Sequence, residues 1–237
     1  MCTLSWCFSS SGYQLVFNRD EQKSRALAQL PQFVDFGAGS RALMPIDPQG
    51  NGSWIAVNNW GLTLALLNFY QGRIPTGKLL SRGQIVRQAA ALASSDQVEE
   101  FLRSLELNRY PPFSLVVFDK NQAAAKCMQW SGERLSLTAA VSPYVSSSIE
   151  YVNVRRQRMA QYRASINPSL GFETLLQFHA SHDPKAGLFS VCMHREDAHT
   201  VSQTQVIVGD TATMNYLPGA PCTMRAGDMR RYTLPLA

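Results

Sequence analysis

The chain has 237 residues, of which 45% are hydrophobic and 16% charged, with a net charge of +5. That composition supplies ample apolar material for a core and excludes a disordered chain. The basic residues are scattered, the densest run being Arg155-Arg156-Gln157-Arg158 with no binding motif beside it, so it reads as one solvated helix face and no nucleic-acid partner is expected.

In chain order, residues 2–8 (CTLSWCF) and 13–18 (YQLVFN) flank Ser-Ser-Ser-Gly and predict a β-hairpin. The hairpin places Cys2 at the start of one strand and Asn18-Arg19-Asp20-Glu21 at the end of its partner, and antiparallel pairing brings those two ends together. The glycines at 37, 39, 50 and 52 mark a flexible loop over 36–53 that lacks the Lys-Ser/Thr ending of a phosphate loop. Residues 53–58 and 61–69 predict a second strand pair, with Asn59 and Trp60 near the turn. Ser81-x-x-Gln84 reads as a capping box for a helix over 82–93. Ser95-Asp96 opens another over 96–104, with Val98, Phe101, Leu102 and Leu105 on one face. Strands follow at 113–119, 123–130 and 133–138. Ser147-x-x-Glu150 caps a helix over 149–163, and a further helix fits 169–180. The last strands are 188–193 (LFSVCM), 202–208 and 211–216. Blocks of strands alternating with pairs of helices predict one α+β domain over 1–237, with helices outside antiparallel sheets.

No apolar run reaches the roughly 18 residues of a membrane helix, so no membrane insertion is expected. MCTLSWCFSSSG lacks a basic region and a long apolar core, so it is not a signal peptide, and a cytoplasmic location is expected. The five cysteines are odd in number and form no CxxC pair, which fits reduced thiols.

Cys2 carries the chemistry. Its small side chain permits removal of Met1, after which thiol and α-amine sit on one carbon. An α-amine with a pKa near ~7.7–8.0 is partly neutral at pH 7 and serves as the thiol's own base. Such a site needs a cation for the thiolate, a carboxylate for the amine and donors for the oxyanion. Arg19 and Asp20 offer the first two. Asn68, or Asn58 and Asn59, offer the third. Trp54, Trp60, Phe69 and Tyr70 lie on or beside the second strand pair; they are core aromatics or the apolar wall of a pocket, with Trp60 the best candidate for an exposed face.

The opening MCTL…YQLVFNRDEQKSR resembles the NRDE family, which includes the transport-and-Golgi-organisation proteins. GSWIAVNNWGLTLALLNFY, Ser81-Arg82-Gly83 and FSVCMHREDAHTVSQT extend the resemblance to about residue 204. That family is in turn similar to the N-terminal-nucleophile (Ntn) cysteine hydrolases of the choloylglycine and penicillin-V amidase group. The resemblance implies a four-layer αββα fold and hydrolysis of a non-peptide amide. Cys2 is then the nucleophile, Arg19 the thiolate's cation and Asp20 the amine's orienting carboxylate. Asn68, between Leu67 and Phe69, is an oxyanion donor. The amidases carry a second Asn whose counterpart here falls at Val145-Ser146-Ser147-Ser148, with no Asn, where a Ser or a backbone N–H is the expected substitute. Asn18, Glu21, Asn59, Trp60, Ser147 and His194 complete the expected ligand contacts.

The hydrolase reading needs no cofactor, and its partner is a small acyl amide. The alternative on the same fold is a non-catalytic carrier of haem or an acyl ligand, an expectation drawn from the family. His179, His182, His194 and His199 are the candidate axial ligands. His179-x-x-His182 with Cys192-x-His194 contains metal-ligating residue types, but without the usual CxxC spacing, and no metal is expected.

Overall fold

The structure is a computed structural model and describes residues 1–166, 170–225 and 227–237. Two antiparallel sheets stack face to face. Sheet I runs in the order β10-β1-β2-β11-β12-β13 and sheet II in the order β3-β4-β5-β6-β7-β8-β9. Sheet I is built from β1 (Cys2–Ser9), β2 (Gly12–Gln22), β10 (Tyr144–Ser146), β11 (Ala198–Val208), β12 (Thr211–Leu217) and β13 (Arg230–Pro235). Sheet II is built from β3 (Gln29–Gly37), β4 (Ser40–Ile46), β5 (Ile55–Asn58), β6 (Leu62–Asn68), β7 (Phe113–Asp119), β8 (Lys126–Trp130) and β9 (Leu135–Ala139). Helices α1 (Gly83–Ala89) and α2 (Ser95–Ser104) cover sheet II, while α3 (Tyr151–Ser165) and α4 (Phe172–Ala180) cover sheet I. The expected αββα layering is the observed one.

Strands in the middle of such a stack are buried on both faces, so they read as unbroken apolar runs instead of alternating ones. β6 (LTLALLN) is the example. Leu67 and Ala65 enter the core between the sheets, while Leu62, Leu64 and Leu66 meet the helix layer beside Ile85, Val86 and Leu102. Along β2, Tyr13, Leu15 and Phe17 face the inter-sheet core, and Val16 faces α4 through Leu175 and Phe178. The β1–β2 turn needs glycine at position 12, because a Cβ there would lie 2.0 Å from the Val208 carbonyl oxygen.

Several sequence expectations are corrected. The loop expected over 36–53 is largely the β3–β4 hairpin, turning through Gly37, Ala38 and Gly39, all at positive φ. Ser81 does not cap α1 through its side chain, and that helix is shorter than expected. Ser147 does not cap α3; its hydroxyl bonds to the backbone of Ile149 instead. The predicted start of α4 at Ser169 lies outside the described residues. Residues 188–193 form no strand, because their backbone bonds to side chains and turns instead of a neighbouring strand. Ser190 and Leu188 carbonyls accept from Arg158, and the Val191 carbonyl accepts from Asn18. β13 was not anticipated. No helix among the described residues is long and apolar enough to cross a membrane.

Candidate active site

The β1–β2 register sets Cys2 directly opposite Arg19. Met1 and Asp20 exchange backbone hydrogen bonds, Asp20 N–H to Met1 O at 3.1 Å and Met1 N to Asp20 O at 3.3 Å. Cys2 and Arg19 are therefore the non-hydrogen-bonded pair, in which Cα atoms lie about 4.5 Å apart and side chains are closest. Cys2 packs toward the inter-sheet core, and the Arg19 guanidinium lies over the Trp54 ring of sheet II, 4.4 Å from its centroid. Arg19 also donates to Glu21 at 3.0 Å.

Both side chains open into a cleft of about 230 Å³ at this end of the stack. Its walls include Met1, Asp20, Glu21, Trp54, Asn68 and Arg82. Asn68 ends β6 and donates through Nδ2 to the Tyr70 hydroxyl at 2.9 Å, and the Met1 amine approaches that hydroxyl at 3.5 Å. The end of sheet II thus meets the N-terminus of sheet I. Arg82 donates to the Pro112 carbonyl at 3.0 Å and has no carboxylate partner among the described residues. Burial pushes its pKa down, with Tyr70 and Cys2 opposing.

Asp20 points to the other face of sheet I, under α3. Thr200 donates to its Oδ1 at 2.7 Å, and Arg158 approaches its Oδ2 at 3.5 Å. Arg158 is fully buried; it also donates to Thr3 at 2.5 Å and to the Ser190 and Leu188 carbonyls at 2.8 and 3.3 Å. This corrects the expectation of a solvated face for Arg158, while Arg155 and Arg156 of the same run are exposed as expected. His179 lies in the same layer, 2.8 Å from the Ser5 hydroxyl. Burial first, then the charge of Arg158, holds its imidazole pKa down at about 3.

The neutral ring makes a stability prediction. The unfolded histidine takes up a proton below pH ~6.5 while the folded one stays neutral, so its contribution is complete above that pH. It is lost as pH falls from about 6.5 toward 3, at up to ~1.4 kcal/mol per pH unit. Urea midpoints at pH 7.5 and 5.0 are expected to differ less in His179→Gln than in the parent chain. An unchanged difference refutes the assignment.

Burial pushes the Cys2 thiol pKa up. The N-terminal ammonium pulls it down, Asp20 charge raises it, and the Asp20 backbone and Arg19 favour the thiolate. Burial is the largest of these influences, and it favours the protonated thiol.

The structure brings together Cys2, Arg19, Asp20, Glu21 and Asn68 as lining residues, and Tyr70 beside them. Other expected contacts lie elsewhere. Asn18 is buried in the helix-side layer, donating to the His179 and Val191 carbonyls at 2.8 and 3.2 Å. Asn59 and Trp60 sit at the far end of the β5–β6 hairpin, where Asn59 bonds to the backbone of Gly39 and Arg41. Ser147 is fully buried and turned toward Ile149. His194 belongs to a separate cluster with His182, Cys192 and Cys222. Trp54, not Trp60, is the aromatic of the cleft. The period-2 register gives the signal, since Trp54 lies at the β6 end that carries Asn68: its carbonyl accepts from Leu66 N–H at 2.8 Å.

The family model described as Transport and Golgi organisation 2 matches residues 1–213. No curated protein shows a significant match. Among solved structures, penicillin V acylase from Agrobacterium tumefaciens superposes with a TM-score of 0.57 at 10% identity, covering 99% of this chain and 86% of that one. A variant of conjugated bile acid hydrolase from Clostridium perfringens gives 0.57 at 11% identity, covering 98% and 92%. The Caenorhabditis elegans ortholog of N-acylethanolamine-hydrolyzing acid amidase gives 0.56 at 12% identity, covering all of both chains. At these identities the likeness shows the Ntn-hydrolase fold.

Proposed function

The chain belongs to the Transport and Golgi organisation 2 family, and from that premise we propose that it is an Ntn-type cysteine amidohydrolase cleaving the C–N bond of a small acyl amide. The observation that carries the reading is the pairing of Cys2 with Arg19 at the mouth of a cleft that Asn68 also lines. Removal of Met1 turns the Cys2 nitrogen into an α-amine. The amine takes the thiol proton, and the thiolate attacks the amide carbon. Arg19 favours the thiolate, and Asn68 Nδ2, released from Tyr70, donates to the oxyanion. Asp20, its carboxylate released from Thr200, orients the amine. The proton passes to the leaving nitrogen as the C–N bond breaks, and water then hydrolyses the thioester. The fold neighbours include enzymes named for amide hydrolysis, which supports the reading.

Intact mass after limiting iodoacetamide, with the label mapped, tests the first step. Chains lacking Met1 are expected to label at Cys2 ahead of exposed Cys222. Equal labelling of Cys2 with and without Met1 counts against self-activation.

Arg82 adds a preference. A half-buried guanidinium without a carboxylate partner favours substrates carrying an anionic group. Arg82→Gln is expected to raise KM about tenfold or more for an anionic acyl amide, a loss of ~1.4 kcal/mol, and to leave a neutral analogue nearly unchanged. Steady-state kinetics on the matched pair check this; equal effects on both refute it.

A second reading keeps the same cleft as a carrier for haem or an acyl ligand. The absence of an amide side chain at Val145–Ser148 favours it, since β10 pairs Ser146 with Cys2 and leaves a buried serine hydroxyl there without a partner. None of the four histidines lines the cleft, so a haem held there would take its axial ligand from the sulfur of Cys2 or Met1. Haem titration followed at the Soret band, repeated on Cys2→Ala, separates this reading from hydrolysis.

A further inference from the structure

We propose that His182, Cys192, His194 and Cys222 bind one zinc ion as a structural Cys2His2 centre. Each offers a ring nitrogen or a sulfur, and these four atoms all lie within 4.8 Å of one another. Cys192 Sγ is 3.5 Å and Cys222 Sγ 3.2 Å from His194 Nε2. Zinc bonds of about 2.0–2.1 Å to nitrogen and 2.3 Å to sulfur give tetrahedral edges of about 3.3–3.8 Å. The donors need only shifts of about an ångström or so to meet that geometry.

The site is assembled from three stretches of chain. His182 follows α4, Cys192 and His194 lie in the segment before β11, and Cys222 sits in the 3-10 turn Pro221–Thr223. No pair has CxxC spacing, so sequence spacing alone gave no zinc signal. His179, the other half of the His-x-x-His pair, turns away to Ser5, and Cys222 completes the set in its place.

Independent observations point to a ligand. His182 Nε2 is buried with no hydrogen-bond partner, a state that needs an explanation. The His182 and His194 rings pack edge to face with centroids 5.0 Å apart, presenting two imidazoles to one place. Residues 181–197 contain no helix or strand, yet Ser190, Val191, Cys192 and Met193 are buried. Irregular segments longer than about 12–15 residues are uncommon and are usually functional or disordered, and Arg158 and Asn18 hold only the Leu188, Ser190 and Val191 carbonyls of this one. A metal anchored to both this segment and the 3-10 turn supplies a further tie.

The donor set selects the ion. Two thiolates with two imidazoles suit zinc, and their charges cancel its own. Binding displaces one proton from each thiol. Four protein ligands leave no open position, which makes the centre structural. Donors converging on a point fit an ion, not the plane of a haem. The Leu188, Ser190 and Val191 carbonyls of the tied segment hold Arg158 and Asn18, so the metal would steady the layer beneath Asp20.

The test is metal content of the full chain, purified under reducing conditions, loaded with zinc and desalted, together with titration by Co²⁺. One zinc per chain is expected, and the cobalt form should show a thiolate charge-transfer band with the intense visible bands of a tetrahedral site. Chelation should lower the melting temperature. Cys222→Ala, at an exposed position, and His194→Ala should each lose stoichiometric binding, and Cys2→Ala should keep it. Substoichiometric zinc in the reduced parent chain overturns the proposal. So does a cobalt spectrum without the thiolate band, or full zinc binding by the Cys222→Ala/His194→Ala double variant. The cobalt spectrum of the parent chain decides the matter even if a variant fails to fold.

Discussion

Cys2→Ser is expected to fold as the parent chain does and to lose turnover of acyl amides by about 10³-fold or more. The side chains differ little in size, and Cys2 is only partly buried at the edge of the inter-sheet core, so the stability change should stay within ~1 kcal/mol. The chemistry differs far more. The α-amine, with a pKa near ~8, is matched to a thiol and not to a hydroxyl. Even for the thiol the match is strained, because burial pushes its pKa up while Arg19, the N-terminal charge and the Asp20 backbone pull it down. The variant keeps Arg19, Asn68 and the cleft walls, so substrate binding should survive with KM close to the parent value. Thermal melting and single-turnover rates on the processed chain check both halves. Turnover equal to the parent would remove Cys2 from the mechanism. A rise in KM with kcat unchanged would instead assign the residue to binding.

The geometry behind that expectation was legible where strand periodicity fixed it. Two runs of strand residues around Ser-Ser-Ser-Gly brought the Cys2 end beside Asn18–Glu21, and the observed register sets Cys2 opposite Arg19. The β5–β6 hairpin was equally legible, but which of its ends faces the nucleophile depends on how the sheets stack. That choice moved the cleft aromatic from Trp60 to Trp54. Residues 188–193 have the apolar content of a strand, and nothing local says that Arg158 and Asn18 claim their carbonyls. β3 escaped notice because its sequence, QLPQFVDFG, is mostly exposed and carries a proline, both traits of an edge strand. Arg158 left one overlooked signal. Val154, Arg158, Gln161 and Tyr162 recur at i, i+4, i+7 and i+8, which is the buried stripe of α3. A basic residue inside an otherwise buried stripe marks an internal charge, whereas Arg155 and Arg156 fall outside the stripe and are exposed.

Replacing that internal charge is expected to cost more stability than any other single change considered. In Arg158→Met the side chain's volume is partly kept, but the Asp20 carboxylate loses its cation and the Ser190 and Leu188 carbonyls lose their donor. Removing one partner of a buried pair leaves an uncompensated charge, a loss of about 3–5 kcal/mol. At ~2–4 °C per kcal/mol for a chain of this size, the melting temperature should fall by about 6–20 °C. Arg158→Lys keeps the charge but not the planar fork that reaches four acceptors, so it should fall between the parent and Arg158→Met. Asp20→Asn in the Arg158→Met background separates the causes. If the stranded carboxylate dominates, the second change should restore more than 1 kcal/mol, and the coupling should appear in the double-mutant cycle. If the orphaned carbonyls dominate, the double variant will be no more stable than Arg158→Met. A loss below ~1 kcal/mol in Arg158→Met itself would mean that the guanidinium is not what ties β1, β2 and the 188–190 carbonyls together. Asp20 would then owe its position to Thr200 and the β2–β11 ladder.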